Sequence, residues 1–329
     1  MEQYQNLSKK TVVITGTSSG VGKAMALELA AKGAKLVLAA RRKEALEELA
    51  LECESLGAIA LAVPTDMNSV EDIQQLAVRA EAFGGSIDVW INNAGVLAAG
   101  AVEDIPSDVN EQVVKTNLIG YIHCTHTVVP YFKKQGHGIL INNISVGGWF
   151  PTPYSAAYTA SKFGLRGFSE ALKGELKGWP RIHVCDLYPG FLDTPGMQHS
   201  ANYTGKQLKP LPPTYAPQRV AKAVARLISC PQSRKTVGIT ASMLRLAWTL
   251  FPGISRAATV FVIRNYLKRA RAIGYTSGNV LEPVLYGTSA EGGWQKKAPS
   301  PAASRRTGLL MAATAGVILG LVFAKQRHK

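Results

Sequence analysis

Tyr158 and Lys162 stand four residues apart inside a helical pattern that runs over 154–177, a spacing that puts both side chains on one face of the helix, one above the other. The pair has a chemical use. A phenol ionises near pH 10 in water (about 10) and is a poor proton carrier at neutral pH, whereas an adjacent ammonium favours the phenolate and would draw that value towards about 7. A Tyr-x-x-x-Lys pair also occurs on plain helix surfaces, so its meaning rests on what surrounds it. Ser145 closes a strand-like run over 138–144, and Asn117 lies in a helical pattern that follows the strand-like run 87–92. Open α/β sheets bind ligands outside the carboxyl ends of their strands, which places Ser145 in the crevice where a nucleotide would lie.

The nucleotide signal is Thr15-Gly16-Thr17-Ser18-Ser19-Gly20-Val21-Gly22, which joins the first strand-like run, 11–15, to a helical pattern over 23–32. Glycine at 16, 20 and 22 permits a tight turn, close backbone approach to a pyrophosphate and tight packing of helix on strand; the helix start offers N–H groups and a partial positive charge. A plain strand–turn–helix connection could also use such a triplet. Cofactor choice is read at the end of the second strand, where an acid would hold the adenosine ribose of NAD. There the sequence is Leu38-Ala39-Ala40-Arg41-Arg42, and an arginine pair suits a 2′-phosphate, which favours NADP(H) over NAD(H). The alternative is that Arg41 and Arg42 face solvent at the start of the next helix and pair with Glu47 or Glu48.

These residues need a scaffold that gathers strand ends. Short β-branched runs at 11–15, 35–40, 58–63, 87–92, 138–144, 181–187 and 236–239 alternate with helix-length stretches, the pattern of a parallel sheet covered on both faces. The expectation is an α/β fold: a Rossmann-like doubly wound parallel sheet in a single catalytic domain over 1–286. With 329 residues, 47% hydrophobic and 18% charged, a sizeable core is within reach and general disorder is excluded. Residues 287–307, rich in Gly, Ser, Pro and Ala, read as a flexible linker. Residues 308–324 carry no charge and read as a transmembrane helix, followed by a basic tail over 325–329. At 1.5 Å per residue such a helix would span about 26 Å, near the lower limit for a hydrocarbon core. A buried helix packed on the body is the alternative for this segment.

The formal charge of +15 is unevenly spread. Up to Thr204 there are 17 basic residues against 20 acidic; from Gly205 onward there are 20 against 2. No acid occurs between Asp193 and Glu282, and Trp248, Phe251, Phe261 and Tyr266 interleave with the cations there. Such a surface fits anionic headgroups as well as nucleic acid; the apolar tail turns the expectation to a membrane partner and away from nucleic acid. Four scattered cysteines without a CxxC pair suit a reducing compartment, and the polar start over 1–10 is no signal peptide. The expected localisation is membrane-anchored through the C-terminus, with the catalytic domain cytoplasmic. His123, Cys124 and His126 point different ways on a helix, and no metal is expected.

Together these residues resemble the short-chain dehydrogenase/reductase family over about residues 9–237. Thr15 to Gly22 is similar to the family's TGxxxGxG turn, Asn92-Asn93-Ala94-Gly95 to its NNAG strand end, and Asn117, Ser145, Tyr158 and Lys162 to its catalytic tetrad. Asp66, followed by Met67, is similar to the residue that contacts the adenine edge, and Pro189-Gly190 with Thr194 to the segment that covers the nicotinamide. The resemblance implies coenzyme contacts from Gly16, Ser18, Ser19, Gly20, Val21, Gly22, Arg41, Arg42, Asp66, Met67, Asn93, Ala94, Gly95, Tyr158, Lys162, Pro189, Gly190 and Thr194. It also implies Tyr158 as general acid in carbonyl reduction and base in alcohol oxidation, with Ser145 hydrogen-bonded to the substrate oxygen where charge develops. Lys162 would tune the phenol and bind the nicotinamide ribose, and Asn117 would carry a water that relays the proton. Pairing into a dimer or tetramer, through helices around 113–132 and 154–177, is implied as well. Ser19 departs from those NADP-dependent members that place a basic residue there, so the cofactor assignment rests on Arg41 and Arg42.

The implied activity is NADP(H)-dependent hydride transfer to or from a carbonyl or secondary alcohol. Trp149, Phe150 and Tyr154, with the segment 191–215, would shape an apolar pocket for a hydrophobic or lipid-like small molecule, unless these rings are simply core. A non-catalytic nucleotide-binding interaction protein on the same fold is the alternative, against which the intact tetrad argues.

Overall fold

Five consecutive buried residues, Thr11–Thr15 (β1), can exist only with cover on both faces of the strand, and the rest of the chain is arranged to supply it. The computed structural model describes residues 7–295. After β1 come Gly20–Ala30 (α1), Lys35–Ala40 (β2), Lys43–Ser55 (α2), Ile59–Pro64 (β3), Val70–Gly84 (α3), Val89–Asn92 (β4) and the two-residue strand Ala98–Ala99 (β5). Ser107–Val114 (α4) runs through a π turn, Lys115–Ile119, into Gly120–Gln135 (α5). Gly138–Asn143 (β6), Ala156–Glu175 (α6), Ile182–Pro189 (β7), Gly196–His199 (α7) and Ala201–Asn202 (β8) follow. The last third holds Gln218–Ser229 (α8), Arg234–Val237 (β9), Ile239–Leu250 (α9) and Pro252–Arg269 (α10).

Seven strands form one parallel sheet in the order β3-β2-β1-β4-β6-β7-β9. One face is covered by α1, α2 and α8, whose Met25, Leu29, Leu46, Leu49 and Val224 join Ile14, Leu36 and Leu38 of the sheet. The other is covered by α3, α5 and α6, whose Ile73, Leu76, Val128, Phe132 and Leu172 meet Val13, Val37, Trp90 and Leu140. The doubly wound α/β domain is as the sequence pattern predicts. Its helices are placed by local signals: Ser69 accepts the Asp72 N–H at 3.0 Å at the start of α3, and Gly85 in the left-handed conformation ends it. Strand order reverses between β1 and β4, so the loops after these strands part and leave a crevice at their carboxyl ends.

The structure departs from the sequence pattern in three places. First, among the described residues no helix is long and apolar enough to cross a membrane. The expected membrane-anchored localisation, with its transmembrane helix and membrane partner, is corrected on that finding; residues 308–324 and 325–329 lie outside the described residues. Second, the glycine- and serine-rich composition from Gly287 does not mark a linker at once. The compact body continues through Trp294, Ala290 is buried, and Gly287 and Gly293 adopt positive φ, serving turns that an L side chain would strain. Third, the helical pattern around Asn117 contains the π turn, an i→i+5 widening that often sits at functional sites.

Candidate active site

The glycine turn is built by contacts that admit no side chain. A Cβ on Gly16 (φ 72) would lie 2.6 Å from Ala94 Cα, and one on Gly22 would lie 2.1 Å from the Gly16 carbonyl oxygen. The turn is riveted from beside: Asn93 Nδ2 donates to the carbonyls of Thr15 (2.9 Å) and Gly16 (3.2 Å), and its Oδ1 accepts from Asn143 Nδ2 at 2.8 Å. The side chain of Asn93 thus ties together the ends of β1, β4 and β6. Gly22→Ala should cost at least about 2 kcal/mol, since the methyl meets backbone that cannot give way. Urea denaturation checks this; unchanged stability would mean the turn is looser than these contacts indicate.

Around the turn the cleft is lined by Gly16, Ser18, Ser19, Arg41, Arg42, Asp66, Met67, Ala94 and Gly95, with Ala40 and Thr65 between them. Residues predicted from four separate stretches of sequence are therefore brought to one crevice. Thr194 abuts the turn, a Cβ on Gly20 standing 3.5 Å from Thr194 Cβ. Asp66 is held by Asn68, whose backbone N–H and Nδ2 donate to Asp66 Oδ1 at 2.9 and 2.7 Å. Pro189 and Gly190 lie at the end of β7, where the Gly190 N–H donates to the Val237 carbonyl at 2.9 Å.

Arg41 and Arg42 neither face open solvent nor pair with Glu47 or Glu48; Glu47 pairs with Lys43 at 3.7 Å. Arg41 donates to the carbonyls of Asn279 (2.6 Å) and Leu281 (3.1 Å). Arg42 donates to those of Val284 (2.9 Å), Tyr286 (3.4 Å) and Ser18 (3.0 Å). Burial, and then the neighbouring Arg41, hold the Arg42 guanidinium below its ordinary value.

Ser145 follows β6 with φ 96, a conformation unusual for a residue with a side chain. Its Oγ accepts the Gly147 N–H at 3.2 Å, and a Cβ on Gly147 would stand 3.7 Å from that Oγ, on the side where Tyr158 packs. A Cβ on Gly147 would be 3.0 Å from Tyr158 Cε1, so glycine there lets the phenol approach. Lys162, one turn further along α6, is buried, with Nζ 5.8 Å from the centre of the Tyr158 ring and 5.2 Å from that of Tyr121. Burial pulls its ammonium down from 10.5 to about 7. Desolvation pushes the Tyr158 phenol up from its ordinary value, opposed by the Ser145 side chain. The direction is the reverse of the expected pull on the phenol: Lys162 is buried and Tyr158 half-buried, and an amine that is only partly charged at neutral pH holds a phenolate weakly.

Asn117 is fully buried in the π turn. Its Oδ1 accepts the Val96 N–H at 2.8 Å, and its Nδ2 donates to the Val96 carbonyl (2.9 Å) and to Ser161 Oγ (3.2 Å). A Cβ on Gly95 would stand 3.1 Å from Asn117 Oδ1 and 3.8 Å from Lys162 Nζ, so these groups converge on one spot. On the far side, Phe150 packs edge-on against Trp248 at 5.9 Å within an apolar cluster that includes Val146, Ala241 and Leu244. Trp149 is occupied otherwise, against Tyr188 at 5.6 Å and the guanidinium groups of Arg166 and Arg245, each 4.2 Å from its ring centre. Tyr154 accepts from Arg264 Nε at 3.1 Å. Leu244, Trp248, His199, Asn279 and Val284 were not signalled by any motif, because they come from the basic last third and the short segments before it.

A glycine turn at a topological switch point, flanked by paired arginines, by Tyr158 and Lys162 on one helix face and by Ser145 after β6, has the make-up of a nicotinamide-dependent oxidoreductase site on an α/β sheet. The family profile described as short chain dehydrogenase matches residues 10–204, and the chain belongs to that family. It is 34% identical over 256 residues to the uncharacterized oxidoreductase YxnA of Bacillus subtilis, covering 77% of this chain and 72% of that protein. To the 11-beta-hydroxysteroid dehydrogenase-like 4A of Arabidopsis thaliana it is 34% identical over 195 residues, 58% of this chain and 64% of that one. Among solved structures, the alcohol dehydrogenase of Thermococcus sibiricus complexed with 5-hydroxy-NADP aligns with TM-score 0.61 at 25% identity, over 69% of this chain and 95% of that one. A metagenomic short-chain oxidoreductase in complex with NADP aligns with TM-score 0.60 at 28% identity, over 71% and 98%. The protein is an oxidoreductase of this family, acting on alcohol or carbonyl groups with a nicotinamide coenzyme.

Proposed function

We propose that the protein transfers hydride between NADP(H) and a hydrophobic carbonyl compound or secondary alcohol, with Tyr158 as acid and base. The observation that carries this reading is Tyr158 above buried Lys162 on α6, with Ser145 and the Tyr158 ring both against Gly147, on the same crevice as the glycine turn. The two hydroxyls form a cradle for one substrate oxygen. In reduction Tyr158 gives its proton to that oxygen as negative charge develops there, and Ser145 donates a hydrogen bond to it; in oxidation Tyr158 takes the proton. When bound, the nicotinamide supplies or accepts the hydride. Lys162 and Gly95 border its place, and the arginine pair suits a 2′-phosphate. Because the side-chain amide of Asn117 is committed to Val96, a relay water would rest on its main-chain carbonyl. The apolar cluster around Phe150 and Trp248 supports a hydrophobic substrate.

Arg41→Asp should shift preference from NADP(H) towards NAD(H) by about tenfold or more, through loss of a phosphate ligand and repulsion of the phosphate. Titration calorimetry with both coenzymes checks it; equal wild-type affinities would count against the assignment. The activity itself is tested by following NADPH and NADH oxidation over a panel of carbonyl compounds of rising apolarity. Turnover of apolar ketones or aldehydes with NADPH is expected, and coenzyme binding without oxidation on any of them would leave a nucleotide-binding interaction protein instead.

A further inference from the structure

We infer that residues 279–294 are the roof of the coenzyme site: Asn279, Pro283 and Val284 complete its adenosine end, and coenzyme enters and leaves only when this strap lifts. The inference rests on the coenzyme reading above. It concerns a segment beyond the residues 10–204 that match the family.

The cleft that holds Ser18, Arg41 and Asp66 on one side has Asn279, Pro283 and Val284 on the other. A dinucleotide lying along the glycine turn would have its adenosine end beneath this strap, which is bonded across the cleft to Arg41 and Arg42. The strap is fastened to the very residues that surround the coenzyme place. Its carbonyls at 279 and 281 take two bonds from Arg41, and those at 284 and 286 take two from Arg42. The Ser289 carbonyl accepts the N–H of Gly20, the first residue of α1, at 2.9 Å. Further along, the N–H groups of Gly292 and Trp294 donate to Asp193 Oδ1 at 3.1 and 2.8 Å, and Trp294 Nε1 donates to the Thr194 carbonyl at 2.9 Å. Two small apolar plugs seat it, Val280 among Val96, Val109 and Val113, and Ala290 in the main core. Gly287 lies so close over the buried His199 that a Cβ there would be 2.3 Å from Nε2.

These contacts are compatible with a bound coenzyme and would be strengthened by it. A guanidinium has five N–H donors, so Arg41 can keep two strap carbonyls and still meet a phosphate. An anion beside the arginine pair offsets the repulsion between the two guanidinium charges and leaves their charge-assisted bonds to the strap in place. Ser289 takes only one of the N–H groups that the first turn of a helix leaves without helical partners; those of Val21 and Gly22 belong to the same turn. The strap therefore closes on the coenzyme and does not compete with it.

Amide hydrogen exchange of the full-length protein, read by mass spectrometry with and without saturating NADP+, tests this directly. Peptides within 279–294 should exchange at least about tenfold more slowly with NADP+ bound. Faster exchange would show that coenzyme displaces the strap, and unchanged exchange that the strap takes no part; either overturns the inference. Val284→Glu sets a carboxylate beside Arg42, and the dissociation constant for NADP+ should rise at least tenfold while that for NAD+, which lacks the 2′-phosphate, changes far less. Wild-type NADP+ affinity in this variant also overturns the inference. Calorimetry on the wild-type protein separates the two levels: binding of NADP+ without protection of the strap removes the roof alone, whereas no binding of NADP+ removes the coenzyme reading and the roof with it.

Discussion

Tyr158→Phe should lower kcat by at least about a hundredfold in both directions while the dissociation constant for NADP(H) changes by less than about threefold. The ring packs with the apolar cluster of Val96, Val109 and Val113, and phenylalanine fills the same space, so the substitution removes little besides the hydroxyl. That hydroxyl, on the ring packed at Gly147 beside Ser145, is the group that passes the proton in the proposed reaction. Steady-state kinetics with calorimetry in parallel checks the split, and retained turnover would take Tyr158 out of its role. The pH dependence carries a sign of its own. Desolvation holds the phenol above its ordinary value, so it stays protonated through pH 9 and carbonyl reduction should not fall there for want of the acid. Alcohol oxidation needs the phenolate, whose fraction grows tenfold per unit below the pKa, and its rate should climb from pH 7 to 9. An oxidation rate already level from pH 7 would show that the phenol ionises near neutrality and that its surroundings have been misjudged.

What could be read before the structure follows from how local each signal is. The sheet was legible because strands buried on both faces are written as continuous apolar runs; the run expected at 236–239 lies at Arg234–Val237 because Gly238, at φ 95, turns the chain into α9. The glycine turn and the Tyr158–Lys162 pair were legible because backbone approach and helix spacing restrict residue type. The partners of Arg41 and Arg42 were not, since they are main-chain carbonyls of residues 279–286, and a carbonyl leaves no mark on composition. The same reason hid the strap, whose glycines and serines look like linker residues until their φ angles and hydrogen bonds are known. Trp149 and Trp248 were equally apolar as letters. Only packing shows that Trp149 is taken up by Tyr188, Arg166 and Arg245, while Trp248 meets Phe150 beside the site. The uncharged residues 308–324 resemble a membrane span by composition, but no described helix has the length and apolarity to cross a membrane.

Lys162→Met should abolish most turnover, at least about a hundredfold, and yet make the protein more stable at pH 6. Burial is the whole cause of the fall of the Lys162 ammonium from 10.5 to about 7, and its contacts with the faces of Tyr121 and Tyr158, at 5.2 and 5.8 Å, do not restore it. Between pH 7 and 10.5 the unfolded chain binds this proton and the folded protein does not, so stability rises with pH across that window; below 7 both states are protonated and the cost of the buried charge is borne in full. Methionine keeps the length and apolar stem of lysine without the charge, and the expected gain is about 1–3 kcal/mol at pH 6, fading as pH nears 10. Urea denaturation of both proteins at pH 6, 8 and 10 measures it. A variant less stable than wild type at pH 6, or a wild-type stability that does not rise between pH 7 and 10, would mean that Lys162 has a solvating partner and that its low pKa is not a cost of placing an amine beneath Tyr158. That opposition of stability and turnover at one position would mark Lys162 as a group kept for chemistry: a fold chosen for stability alone would not place a buried amine beside Gly95 and the end of β4.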